Sequence, residues 1–195
     1  MIVTKKICKE LSDNEIVKKS ITNIEYFSCL YNRYEATLLR YVKRMALVDD
    51  DQAEDILQEA FIKIWRNLND FNQDLKLSSW IYRIVHNEAI SFWRKKKSFG
   101  KDRQIILKDN LLEDIPIDFE IVDGHRKNDL LTHEILELLP LKYKSVLVLK
   151  FIERMSYQEI SDVLKIPEGT VAARINRAKK KIIEETSKKY IPFKK

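Results

Sequence analysis

Ser156-Tyr157-Gln158-Glu159-Ile160-Ser161-Asp162-Val163-Leu164-Lys165-Ile166-Pro167-Glu168-Gly169-Thr170-Val171-Ala172-Ala173-Arg174-Ile175-Asn176-Arg177-Ala178 is the stretch from which the fold is read. Ser156 with Glu159 three residues on forms a capping box: the hydroxyl accepts a backbone N–H of the first turn, and the carboxylate accepts that of the serine. The box opens a short helix to Leu164. Lys165-Ile166-Pro167-Glu168 then interrupts it, because proline lacks the N–H of a helix interior but is tolerated where a helix begins. A last helix runs on to about Glu185. A short capped helix, a turn of about four residues and a longer basic helix are the parts of a helix-turn-helix.

The apolar residues support that arrangement. Ile160, Val163 and Leu164 give the first helix its inner face, and Ile166 fills the angle between the two. Val171, Ile175, Ala178 and Ile182 recur at helical spacing on one side of the last helix, which therefore packs inward. The other side carries Ala173, Asn176, Arg177 and Lys180, with Thr170 and Arg174 near its edges. Small residues, an amide and cations suit a probe of the DNA major groove, and the basic tail suits phosphates. Charge alone fits a solvated basic helix better. The cap, the turn length and the Pro167-Glu168-Gly169-Thr170 start favour DNA.

Working outward, Pro140 separates a helix over Asn128 to Leu139 from one over Leu141 to about Arg154, so the C-terminal lobe has four helices. Before it, residues 101–123 hold three basic and seven acidic residues, a net of −4, whereas residues 165–195 hold ten basic and three acidic, a net of +7. The expected organisation is an all-α chain of two small helical domains joined by a flexible acidic linker. Its parts are an N-terminal extension over 1–21, a helical bundle over 22–98, the linker over 99–127, the helix-turn-helix domain over 128–187 and a basic tail over 188–195.

Composition agrees. With 3 glycines and 4 prolines in 195 residues, the chain lacks the turn residues a strand-rich fold needs. A hydrophobic share of 45% and a charged share of 34% describe a globular chain, and the net charge of +6 favours a polyanionic partner, nucleic acid or anionic membrane. Cys8 and Cys29 lie far apart and near no histidine cluster, so reduced thiols are expected rather than a disulfide or a zinc site. The N-terminus shows no signal-peptide core and no run approaches the length of a membrane span. The expected location is the cytoplasm.

In the N-terminal lobe, Thr22 to Leu47 reads as one long helix, and Asp51 with Glu54 caps a second to about Asn69. On that second helix Ala53, Ile56, Leu57, Ala60, Ile64 and Leu68 share a core side. Asp55, Gln58, Glu59 and Arg66 share the far side, with Ile62 in their midst and Trp65 at the flank. A large apolar residue among carboxylates suits a partner interface, although single exposed apolar residues are also common on plain surfaces. The carboxylates Asp49, Asp50, Asp51, Glu54, Asp55 and Glu59 invite a metal or acid–base site. Their spacing opposes it, since three sit at a helix start and no histidine joins them.

A third helix begins at Ser78 or Ser79 and runs to about Lys97. Arg83, Asn87 and Arg94 form a polar stripe, with Ser91 and Trp80 at its edge, leading into Arg94-Lys95-Lys96-Lys97. Ile81, Ile84, Val85 and Phe92 lie on the buried side, and Glu88 falls there without an evident reason. The stripe suits DNA or plain solvent. Trp80, Tyr82, Phe92 and Trp93 could stack on unpaired bases or fill a core.

Ala53-Glu54-Asp55-Ile56-Leu57-Gln58-Glu59-Ala60-Phe61-Ile62-Lys63-Ile64-Trp65 resembles the core-polymerase-binding segment of the sigma-70 superfamily, in its extracytoplasmic-function branch. Ser79-Trp80-Ile81-Tyr82-Arg83-Ile84-Val85-His86-Asn87 resembles that branch's −10-reading helix. Leu139-Pro140, Ser156-Tyr157-Gln158-Glu159-Ile160 and Glu168-Gly169-Thr170-Val171, with Arg174 and Arg177-Ala178, resemble its −35-reading domain. The resemblance spans roughly 24–97 and 128–185, in order.

It implies a sigma factor that directs core RNA polymerase to promoter DNA, is no enzyme, and needs no cofactor or metal. It implies that Asp55, Gln58, Glu59, Ile62 and Trp65 bind the β′ coiled coil, with the β flap as a further contact on the polymerase. Trp80, Tyr82, Arg83, Asn87, Ser91, Arg94 and Lys95, with the loop Phe71 to Ser79, would serve the −10 element. Ser156, Tyr157, Thr170, Ala173, Arg174, Asn176, Arg177 and Lys180 would serve the −35 element. The acidic linker would thread into the polymerase, and an anti-sigma factor would mask the reading surfaces. Ala172-Ala173 stands where the family commonly has Lys-Ser, and Val85-His86 replaces its usual alanine and a varied residue, so the −35 preference does not carry over. A ligand-sensing regulator would explain the helix-turn-helix but not the acidic face. A carboxylate-dependent nuclease would require Mg²⁺-dependent cleavage.

Overall fold

A computed structural model describes residues 5–99, 136–137 and 139–190, with side chains left undescribed at residues 5, 97–99 and 185–190. The expected acidic linker and most of the expected helix Asn128 to Leu139 lie outside the described residues. Among the described residues the chain is helical, with no strand. It divides into two compact units, Met1–Lys96 and Lys97–Lys195.

In the first unit, α1 spans Lys5–Glu10 and α2 Asp13–Thr22. A capping box opens α2: Ser12 Oγ accepts the Glu15 N–H, and the Ser12 N–H donates to Glu15 Oε2 at 2.8 Å. The expected helix from Thr22 is broken at Asn23, whose extended backbone and side chain cap a 3₁₀ turn over Ile24–Tyr26. Helix α3, Phe27–Ala46, follows and ends on Leu47 in the left-handed region with φ 54°. Helix α4, Asp50–Arg66, is capped by Asp49, which accepts the Gln52 N–H at 2.9 Å. The cap therefore lies two residues before the expected Asp51. The reason is local: Asp49 has the extended backbone that an N-cap requires, whereas Asp51 is already helical. Helix α5 is Leu77–Phe99.

These helices share one core. Leu38, Tyr41, Val42 and Met45 of α3 meet Ala53, Ile56, Leu57, Ala60 and Ile64 of α4, and Ile81, Val85 and Ala89 of α5 close it. Ile16 and Val17 of α2 are fully buried as well, each such residue contributing about 1.5–3 kcal/mol over an exposed one. Part of α2, which falls within the expected N-terminal extension, thus lies in the core.

The structure corrects the expectation of reduced thiols. Cys8 and Cys29 form a disulfide between α1 and α3, with their Cα atoms 5.1 Å apart. The turns at Ser12 and Asn23 fold α1 and α2 back along α3, so a separation of 21 residues closes to bonding distance. Arg33 of α3 reinforces the join by donating to the carbonyls of Cys8 and Leu11 and pairing with Asp13. Tyr34 donates to Asp13 Oδ2 at 2.6 Å. Burial, then that bond, raises its phenol pKa well above the ordinary value.

In the second unit, α6 spans Leu141–Leu147 and continues as a π-helical turn over Val148–Ile152. Arg154, left-handed at φ 56°, ends it. Helix α7 is Tyr157–Leu164 and α8 is Glu168–Tyr190. Val146, Val148 and Leu149 of this first element, Ile160 and Val163 of α7, and Val171, Ile175 and Ala178 of α8 form the core.

Candidate nucleic-acid and docking surfaces

The helix-turn-helix is built as its sequence directs. The Ser156 N–H donates to Glu159 Oε2 at 2.8 Å and the Glu159 N–H donates to Ser156 Oγ at 3.2 Å. Lys165 closes α7 in the left-handed conformation at φ 53°. Ser161 Oγ donates to the Ile166 carbonyl at 2.6 Å and pins the turn. Pro167 then offers its carbonyl to the N–H groups of Thr170 and Val171, at 2.9 and 3.1 Å.

With Val171, Ile175 and Ala178 inward, Thr170, Ala173, Arg174, Arg177 and Lys180 are half-exposed and Asn176 is exposed. Ser156 and Tyr157 are exposed at the start of α7. Lys150 stands over the Tyr157 ring at 4.8 Å from its centroid. Lys150 escaped the sequence reading because it comes from a different element, and helical periodicity says nothing about pairs across elements.

On α5 the polar stripe survives as a surface: Asn87, Ser91, Arg94 and Lys95 are exposed and Arg83 is half-exposed. Trp80 and Tyr82 do not join it. Both are buried, Trp80 against Phe71 with centroids 5.2 Å apart and Tyr82 against Tyr41 at 5.1 Å. Each ring packs against an aromatic of another segment, and Trp80 anchors the loop that begins at Phe71. That loop turns on Asn72, whose Oδ1 accepts the Asp74 N–H at 2.9 Å.

Two further sequence puzzles resolve here. His86 is buried, its Nδ1 lying 2.7 Å from the Tyr41 hydroxyl, and burial followed by the charge of Arg94 lowers its pKa to about 4. Glu88, 20% exposed, pairs with Lys63 of α4 at 2.6 Å, so it joins two helices rather than entering the core.

Helix α4 presents the remaining surface. Asp55, Gln58 and Glu59 are exposed, Ile62 is 43% exposed, and Trp65 is half-buried. The Trp65 ring leans edge-on against Phe27 at 5.2 Å, which fixes its position beside Ile62. The neighbouring carboxylates have structural uses: Asp49 caps α4 and Asp50 pairs with Lys43 at 2.6 Å. Among the described residues, no three histidine, cysteine or acidic side chains come together as metal ligands.

These features define a helical transcription protein that reads DNA through a helix-turn-helix. The chain matches the family models for Sigma-70 region 2 over residues 30–99 and Sigma-70, region 4 over residues 130–182. It is 34% identical to the ECF RNA polymerase sigma factor SigW of Bacillus subtilis, over 84% of this chain and 93% of that one. Against the ECF RNA polymerase sigma-E factor of Escherichia coli the identity is 28%, over 89% and 94%. In fold it resembles CnrH, solved in complex with the cytosolic domain of CnrY, with a TM-score of 0.66 and 22% identity over 90% of this chain and 97% of that one. The chain belongs to the sigma-70 family, in its extracytoplasmic-function branch. It is a sigma factor, one of a family of proteins that bind core RNA polymerase and direct it to promoters.

Proposed function

We propose that each of the three surfaces has one task in initiation. Asp55, Gln58, Glu59, Ile62 and Trp65 hold the β′ coiled coil of core polymerase. Trp80, Tyr82, Arg83, Asn87, Ser91, Arg94 and Lys95 serve the −10 element. Ser156, Tyr157, Thr170, Ala173, Arg174, Asn176, Arg177 and Lys180 meet the −35 element, while the same domain touches the β flap. The working domains are 22–98 and 128–187, joined through the acidic segment 99–127, with residues 1–21 supporting the first and 188–195 trailing the second. The chain itself performs no phosphodiester chemistry and acts in the cytoplasm. It is held in check by an anti-sigma factor, as the sigma factor RpoE of Bartonella quintana, similar in fold, is bound by the anti-sigma factor NepR.

The observation that carries this reading is Ile62. It stands 43% exposed among Asp55, Gln58 and Glu59 while the opposite side of the same helix is core. An apolar centre ringed by polar groups is the anatomy of a protein interface. A plain DNA-binding regulator leaves that face without a use. Run-off transcription with purified core polymerase, followed by mapping of start sites, is the test. New discrete start points that vanish without the protein support the proposal, and unchanged core activity refutes it.

A further inference from the structure

Between α6 and α8 of the second unit lies an open cavity of about 230 Å³, lined by Lys142, Tyr143, Gly169, Thr170, Ala173, Arg174 and Arg177. Among the described residues its lining holds three cations and no carboxylate. Lys142 and Tyr143 belong to α6, outside the helix-turn-helix proper, and Lys142 rests over the Tyr143 ring at 5.1 Å from the centroid. That packing holds the ammonium beside a helix on which Arg174 and Arg177 are already placed. Three positive charges converging on one concavity, with the Thr170 side chain available to hydrogen-bond, match an anionic tetrahedral group.

Gly169 supplies a separate observation. It is an ordinary helical residue of α8 without positive φ, and a Cβ built on it meets no atom within 4 Å. Among the described residues neither backbone conformation nor packing calls for glycine here, and glycine weakens a helix relative to alanine. The remaining use of a missing side chain is room for something outside the chain, and Gly169 borders the cavity.

We infer that this cavity seats a phosphate of the DNA backbone, with Lys142 of α6 as a phosphate-binding residue and Gly169 as the gap that admits the strand. The inference rests on DNA binding by the helix-turn-helix and adds to it a contact from a second helix. Such a contact sets affinity and the height of α8 in the groove without reading sequence.

The test uses the full-length chain and short DNA duplexes of mixed sequence, titrated across a salt series. Lys142→Ala should flatten the slope of log affinity against log salt by about 0.9, the value of one phosphate contact. Lys142→Arg should restore it. Gly169→Ala should keep or raise the melting temperature and still weaken binding to every duplex alike. A wild-type slope for Lys142→Ala, or wild-type binding by Gly169→Ala, overturns the inference while leaving the helix-turn-helix reading intact. Absence of salt-dependent binding by the wild-type chain overturns both.

Discussion

The Tyr41 hydroxyl and His86 Nδ1 lie 2.7 Å apart inside the first unit, joining α3 to the helix that carries the polar stripe. Burial keeps His86 neutral. Its folded pKa of about 4 lies below the ordinary 6.5, because burial, and secondarily Arg94, disfavour the imidazolium. The unfolded chain therefore binds the proton more readily. The stability associated with neutral His86 is complete above about pH 6.5 and is lost as pH falls toward 4, by up to about 3 kcal/mol. Denaturant melts of wild type and His86→Gln between those limits should show this loss in the wild type alone. Parallel pH profiles would contradict it.

Charge reversal at Glu59 should weaken docking on polymerase without unfolding α4, because the side chain is exposed and no core group depends on it. Glu59→Lys is expected to lower affinity for core enzyme at least tenfold, about 1.4 kcal/mol, with an unchanged circular dichroism melt. Competition against the wild-type chain for core polymerase measures it directly.

The outward cations of α8 make a different prediction. Arg174→Ala or Arg177→Ala should cost about 1–3 kcal/mol if the guanidinium reads a base, and should reduce initiation that depends on the −35 element. Footprinting on a mapped promoter and on one with that element scrambled separates base reading from general affinity. Equal losses on both would assign the arginine to phosphate.

The Cys8–Cys29 bond closes a loop across 21 residues of separation, and such a constraint contributes about 3 kcal/mol by restricting the unfolded chain. Adding a reductant should lower the melting temperature of the first unit. The double substitution Cys8→Ser with Cys29→Ser should melt like the reduced protein and ignore the reductant. A wild-type melt insensitive to reductant would remove the disulfide from the stability of this unit.

Ser20 is fully buried in α2, and its hydroxyl has no hydrogen-bond partner among the described residues. Ser20→Ala removes an unsatisfied oxygen and substitutes a better helix former, so it should stabilise the first unit by about 1 kcal/mol. A loss of stability measured by urea denaturation would show that the hydroxyl is satisfied.

Much of this molecule is written in short-range pattern. The Ser156–Glu159 box, the break before Pro167 and the inward row Val171, Ile175 and Ala178 depend on neighbours within a turn or two, so local chemistry suffices to read them. The α4 surface is legible for the same reason, since residues 55, 58, 59 and 62 share a side of any regular helix. The partners of Trp80 and Tyr82 were not legible, because periodicity gives the angle of a side chain about its own axis but not what lies opposite. Phe71 and Tyr41 lie opposite, on other segments. Asn23 likewise ends α2 by a side-chain bond that competes with the helix, a contest that spacing alone does not decide.

The amino-acid order by itself determined the helix-turn-helix with its Ser156 cap and the polar flanks of α4, α5 and α8, because those outcomes depend on forces acting within a few residues. Tertiary structure alone decided that α1 and α2 return to α3 so that Cys8 reaches Cys29, that Glu88 faces Lys63, and that Lys142 stands beside Arg174. Such pairings join distant parts of the chain. They are set by which buried surfaces fit together, a property of the whole core that no local window contains.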